Sequence, residues 1–253
     1  MILKNKSAII IGGTSGIGYA IAERYLKEGA SVVITGRTES KVEEKCLLLR
    51  KISSLVEGIA CDVSVSKDVK QVVDFTKHRF HGLDIALTSA GTTDDSGNAI
   101  DLSEETWHRV INVNLTGYFL LAKHVFPVMK ERGGSIINIA SQLGLVGARD
   151  EVALCASKGG AINLTRALAL DGAPFGIRVN CICPAAVDTP MLEKWYQSQP
   201  DPEKFRADWY ARHPLGRLGN PEDMAGAAVF FGSDDSSWVT GVILPIDGGF
   251  TAQ

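Results

Sequence analysis

An apolar run over residues 7–11 breaks into Gly12-Gly13-Thr14-Ser15-Gly16-Ile17-Gly18, and a helical pattern (Ile17, Ile21, Tyr25) starts inside that cluster and stops at Gly29. Glycines at such a point let the chain turn sharply and let backbone N–H groups approach a pyrophosphate, while the helix N-terminus adds partial positive charge. An ordinary glycine-rich turn would share the composition. The order strand, glycine cluster, helix is what points to dinucleotide binding, with Gly12, Thr14, Ser15, Gly16, Ile17 and Gly18 as its contacts.

The rest of the chain repeats that alternation. Apolar strand-like runs at 31–35, 55–61, 83–87, 135–140, 177–183 and 242–246 are separated by helical patterns at 38–50, 67–80, 104–132, 151–173 and 221–231. Ser40 and Glu43 have capping-box spacing in the first of these, and Pro127 is expected to kink the third. Continuous Val/Ile runs read as strands buried on both faces, which predicts an α/β chain with a Rossmann-type, doubly wound parallel sheet flanked by helices. A TIM barrel gives no reason for the glycine cluster after the first strand. No linker or repeat divides the sequence, so 1–253 reads as a single domain, with 190–213 as a small lid.

Composition narrows the function. Lys and Arg total 26 against 29 Asp and Glu, a net charge of −3, which leaves no surplus to neutralise nucleic-acid phosphates. No apolar run approaches the roughly 18 residues of a membrane span. The first residues lead straight into a strand-like run without a signal-peptide pattern. A soluble, cytoplasmic protein is expected. The five cysteines are an odd number; Cys181 and Cys183 would face one side of a strand, but no His/Cys cluster has ligand spacing, so no metal is expected.

After the second strand the sequence reads Thr35-Gly36-Arg37-Thr38, where a ribose-binding carboxylate is usual in NAD-binding domains. A guanidinium is a natural 2′-phosphate clamp, which favours NADP (NADPH) over NAD.

These features resemble the short-chain dehydrogenase/reductase family in its form of roughly 250 residues, and the resemblance covers essentially the whole chain. It implies an adenine contact at Asp62-Val63 and a strand-end pair at Ala90-Gly91, although Thr88-Ser89 replaces the usual Asn-Asn before it. It implies a proton-relay Asn at Asn114 within Asn112-Val113-Asn114-Leu115-Thr116-Gly117, a catalytic Ser at Ser141 and a ribose-binding, catalytic Lys at Lys158. Residues 184–190 resemble the loop that clamps the nicotinamide, with Pro184, Val187 and Thr189 as contacts and Ala185 where Gly is usual. A small-molecule substrate, and a homodimer or homotetramer built on the helices near 104–132 and 151–173, are what the resemblance implies.

One position breaks the pattern. The family signature is Tyr-x-x-x-Lys, and four residues before Lys158 stands Leu154. The missing phenol is a general acid worth about 10²–10⁴-fold, or roughly 3–5 kcal/mol of barrier. Positioning of the reactants, worth up to about 7–11 kcal/mol, does not depend on it. A slow enzyme or a relocated acid is therefore expected. Among the five tyrosines, Tyr19, Tyr25 and Tyr118 read as packing residues. Tyr196 and Tyr210 of the lid, with His213, have plausible reach, and Asp150, Glu151 and Cys155 lie near the motif helix. Two classes of function stay open. One is an NADP(H)-dependent oxidoreductase acting on a carbonyl, an alcohol or a conjugated double bond with an atypical proton donor. The other is a catalytically impaired NADP(H)-binding protein that acts as a sensor. An engineered Tyr-to-Leu variant would give the same sequence.

Overall fold

Along β1 (Ser7–Ile11) the side chains divide by parity, as they must on a pleated strand. Ala8 and Ile10 join one apolar cluster, and Ile9 and Ile11 join another on the opposite face. Both faces are covered, which is why the strand reads as an unbroken apolar run. The same holds for β2 (Ser31–Gly36), where Val32 and Ile34 pack on one side and Val33 on the other.

The computed structural model describes residues 1–93 and 97–253. Among them the sheet has seven strands, completed by β3 (Val56–Ala60), β4 (Ile85–Thr88), β5 (Gly134–Ile139), β6 (Ile177–Pro184) and β7 (Ile243–Ile246). Their order is β3-β2-β1-β4-β5-β6-β7, with every pairing parallel. The doubly wound α/β fold read from the sequence is therefore the fold adopted. On one face pack α1 (Gly16–Lys27), α2 (Glu39–Leu49) and α9 (Pro221–Gly232), with Tyr25 donating its hydroxyl to the Ala228 carbonyl at 2.8 Å. On the other lie α3 (Ser66–Phe80), α5 (Gly117–Met129) and α6 (Val152–Gly172). Winding reverses between β1 and β4, and a crevice opens there at the carboxyl ends of the strands, the usual ligand position in such sheets.

Three local expectations need correction. The stretch near 104–132 is helical without a break over 104–129 but not uniformly α: α4 (Glu104–Ile111) and α5 are joined by a π-helical turn, Asn112–Thr116, and Pro127 sits inside α5. The Ser40–Glu43 capping box does not form, because Ser40 already lies within α2 and Thr38 holds the N-cap position. Residues 190–211 are more regular than their weak periodicity suggests, folding as α7 (Pro190–Gln197) and α8 (Pro202–Ala211). Their indoles and Phe205 form a small core of their own. Trp195 meets Phe205 edge-on at 4.7 Å and Trp209 at 5.4 Å, and Trp209 stacks on Phe250 at 6.2 Å. Each such pair stabilises by about 0.5–1.5 kcal/mol, enough to hold two short helices together and to anchor them to the C-terminal segment.

Candidate active site

The glycine turn is packed as a phosphate cradle requires. Gly12 has φ 83°, and a Cβ there would stand 2.6 Å from the Ala90 amide, so only glycine lets the ends of β1 and β4 touch. Ser15 is the N-cap of α1, yet its side chain caps no backbone N–H and no acidic residue occupies the first turn. The helix start thus keeps its donors and its positive end for an anion. Ser15, Gly16 and Ile17 line a cleft of about 670 Å³ that runs from this turn to α7 and α8. A nicotinamide dinucleotide, with its diphosphate, fits such a donor set. Arg37 is exposed just past β2, and a Cβ on neighbouring Gly36 would meet Thr14 Oγ1 at 2.7 Å, so the backbone at the end of β2 lies against the turn.

Ser141 and Lys158 open onto the same cleft. Ser141 follows β5, donates its hydroxyl to Gln142 Oε1 at 2.7 Å and accepts from the Leu143 amide at 3.1 Å. Lys158 comes from α6 and is almost completely buried. Its Nζ donates to Tyr118 Oη and to the Ile139 carbonyl, each at 3.2 Å. Tyr118 Oη in turn donates to the Ile139 carbonyl. Burial pushes the Lys158 ammonium down to about 8, with the Cys181 and Cys183 thiols acting in the opposite sense, and pushes the Tyr118 phenol up. The two thiols do share one side of β6, Sγ to Sγ 3.8 Å, within the cluster that holds Tyr118. No group of residues that could hold a metal ion occurs among the described residues.

Asn114 sits in the π-helical turn, fully buried. Its amide clamps one residue from both sides, accepting from the Thr92 N–H and donating to the Thr92 carbonyl, both at 2.9 Å. A side chain added to Gly91 would stand 3.6 Å from Asn114 Oδ1 and 3.7 Å from Lys158 Nζ. Asn114 therefore fixes the wall formed by Gly91 and Thr92 and does not itself line the cleft.

The comparisons with known proteins decide the family. The family model described as Enoyl-(Acyl carrier protein) reductase matches residues 12–251. The chain is 40% identical to an uncharacterised oxidoreductase of Bacillus subtilis, over 99% of this chain and 92% of that one. It is 37% identical to 2-(S)-hydroxypropyl-CoM dehydrogenase 3 of Xanthobacter autotrophicus, over 99% and 98%. Among solved structures it is similar to a levodione reductase, with TM-score 0.95 and 30% identity over 99% of both chains. It is also similar to an actinorhodin polyketide ketoreductase variant with NADPH, with TM-score 0.94 and 32% identity over 98% of both chains. The chain belongs to the short-chain dehydrogenase/reductase family.

Leu154 is half-buried on α6, one turn before Lys158, and lines the cleft. None of the three substitute acids suggested by the sequence reaches it. Tyr196 turns away into the small core behind α7 against Ala186 and Leu218, where burial pushes its phenol up to about 12. Neighbouring helical residues point about 100° apart, so the same helix that sends Trp195 to the cleft sends Tyr196 behind it. Tyr210 is exposed and does not line the cleft. His213 is buried, bonded through Nδ1 to the Trp209 carbonyl at 2.7 Å, and borders a separate cavity of about 190 Å³. Of the groups near the motif helix, Glu151 lines the cleft, whereas Asp150 and Cys155 do not.

Pro184, Val187 and Thr189 all line the cleft, with Ala185 and Ala186 between them. Thr189 also accepts the Leu192 amide at 3.3 Å, so it starts α7 and borders the site at once. Of the other residues expected to bind the cofactor, Arg37, Asp62, Val63 and Ala90 lie outside the cleft. Asp62 Oδ1 is engaged by the Ser64 N–H and hydroxyl at 2.9 and 2.6 Å, and Val63 packs under Gly117. Sequence reasoning missed Gln142, Arg149, Arg212 and Phe250 as lining residues. No motif read from the sequence marks any of them. Among the described residues no helix is long and apolar enough to cross a membrane.

Proposed function

We propose that this protein is an NADP(H)-dependent oxidoreductase that transfers a hydride between the nicotinamide and a carbonyl, alcohol or conjugated double bond of a small molecule, with a proton donor other than a tyrosine. The observation that carries this reading is the single cleft onto which the start of α1, Ser141 and Lys158 all open. Gly12, Thr14, Ser15, Gly16, Ile17 and Gly18 would hold the diphosphate, Arg37 the 2′-phosphate, Asp62, Val63, Ala90 and Gly91 the adenosine side, and Pro184, Val187 and Thr189 the carboxamide. The NADPH in the similar ketoreductase structure supports that cofactor.

When bound, the reduced nicotinamide supplies the hydride. The chain's own residues do the rest. Ser141 redirects its hydroxyl from Gln142 to the substrate oxygen and holds it. Lys158, with two donors spent on Tyr118 and Ile139, has a third N–H for the cleft, and its ammonium supplies the proton as negative charge develops on that oxygen. Asn114 keeps Gly91 and Thr92 in place beside it. Oxidation of an alcohol is the same path reversed, with neutral Lys158 taking the proton.

Leu154 favours one rival, a protein that binds NADP(H) and turns nothing over. NADPH oxidation measured with a panel of ketones, aldehydes and enones separates the two: sustained turnover of any member excludes the rival, and cofactor binding without turnover excludes the enzyme. A cytoplasmic homodimer or homotetramer is part of the proposal, supported by apolar Phe119 and Leu170 exposed on α5 and α6. Sedimentation of the protein at increasing concentration tests it.

A further inference from the structure

The wall of the cleft between Leu154 and the lid is apolar, formed by Leu143, Leu154, Met191, Trp195, Trp209 and Phe250. Two guanidiniums, Arg149 and Arg212, line the same cleft. Both are exposed, and neither forms an ion pair among the described residues. Five other arginines, Arg24, Arg50, Arg79, Arg206 and Arg217, each face a carboxylate. Arg212 lies 5.1 Å over the Trp209 ring, which is itself stacked on Phe250, so its charge is held against the aromatic wall. With Lys158, the described lining residues carry three cations against one carboxylate, Glu151, in a chain whose net charge is −3. A cleft of one sign with low-dielectric walls concentrates ligands of the other sign.

The cofactor does not account for these two arginines. Its phosphates belong at the start of α1, whereas Arg212 closes α8, the helix that carries Trp209, and Arg149 lies just before α6, the helix that carries Leu154. Resting on the reading above, we infer that the substrate is an organic acid: a carboxylate held by Arg149 and Arg212 at the mouth, joined by an apolar body to the carbon that exchanges hydride beside Ser141 and Lys158. Guanidinium binds carboxylate through two parallel N–H donors, a geometry a neutral ester does not reward. Leu154 belongs to the same design, since leucine extends the apolar wall where a phenol would have interrupted it.

The test uses para-acetylbenzoate and its methyl ester, which share the ketone and the ring and differ in charge. With NADPH, the acid is expected to have a kcat/KM at least about tenfold above the ester. In Arg149→Ala and Arg212→Ala that ratio should fall toward one, and in Arg212→Glu it should invert. Equal values for acid and ester in the wild type, or a ratio that survives in the doubly substituted protein, would overturn the inference. Absence of turnover with either compound counts against the oxidoreductase reading, not against the acid site. Titration calorimetry on protein saturated with oxidised NADP then decides the latter. Tighter binding of the acid by about tenfold, lost on removing both arginines, supports it, and equal binding of acid and ester refutes it.

Discussion

Lys158 Nζ stands 3.2 Å from Tyr118 Oη, and both groups converge on the Ile139 carbonyl at the end of β5. This buried trio anchors the ammonium from behind while the cleft takes its open side. Removing one acceptor should leave the cation less well held. Tyr118→Phe is therefore expected to lower the Lys158 pKa further and move the alkaline limb of reduction to lower pH. The buried hydrogen bond it removes should cost about 0.5–1.5 kcal/mol of stability. A pH–rate profile and a denaturant titration check both; an unmoved limb would detach Tyr118 from the chemistry.

The same burial gives a sign to the pH dependence of stability. Lys158 is lowered from 10.5 to about 8, so between those values the unfolded chain binds the extra proton and folding gains as pH rises. The gain is complete above about 10.5 and absent below about 8. Lys158→Met removes it. The stability difference between wild type and variant should shift toward the wild type by up to about 3 kcal/mol across that window, measured by urea unfolding at several pH values. A flat difference would mean the ammonium is not desolvated.

Restoring the family phenol asks how complete the substitution is. Leu154→Tyr should raise carbonyl reduction at least about tenfold if Lys158 is a makeshift donor, the low end of what a positioned acid contributes. No gain would mean that the proton path through Lys158 is already adequate or that the reaction needs none there. Steady-state rates with one ketone suffice.

Cofactor choice rests on Arg37, exposed one residue past Gly36. A charge-assisted contact stabilises by about 1.5–3 kcal/mol, so NADPH should bind at least about tenfold tighter than NADH. Arg37→Ala should erase most of that difference. Fluorescence titration with both cofactors checks it, and equal affinities in the wild type refute the clamp.

What the sequence made legible was whatever a period or a local motif encodes. The parity of Ala8, Ile9, Ile10 and Ile11 in two clusters follows from an unbroken apolar run, and the glycine turn announces its own geometry. Ser141 and Lys158 meet in the cleft because strand and helix bring them there as the motif spacing implies. The failures lie where local pattern is silent. Nothing local in Asn112–Thr116 signals a π-helical turn: four of its five residues are weak helix formers, but they do not distinguish a π turn from an α turn, and the Asn114 bonds to Thr92 reach a segment 22 residues away. Tyr196 and His213 looked available because weak periodicity does not fix the rotation of α7 or the course of the chain after α8. Tyr118 could be read as core but not as a partner of Lys158, since their meeting depends on the Ile139 carbonyl, contributed by a third element. Arg149 and Arg212 carry no motif at all; only the shape of the cleft joins them.

The most direct measurement is NADPH consumption by the wild-type protein over a panel of ketones, aldehydes and enones. Sustained oxidation, many equivalents per protein and falling above about pH 8 as Lys158 deprotonates, is the expected result. Tight NADPH binding with no consumption across the panel would contradict an active enzyme that works without the family tyrosine.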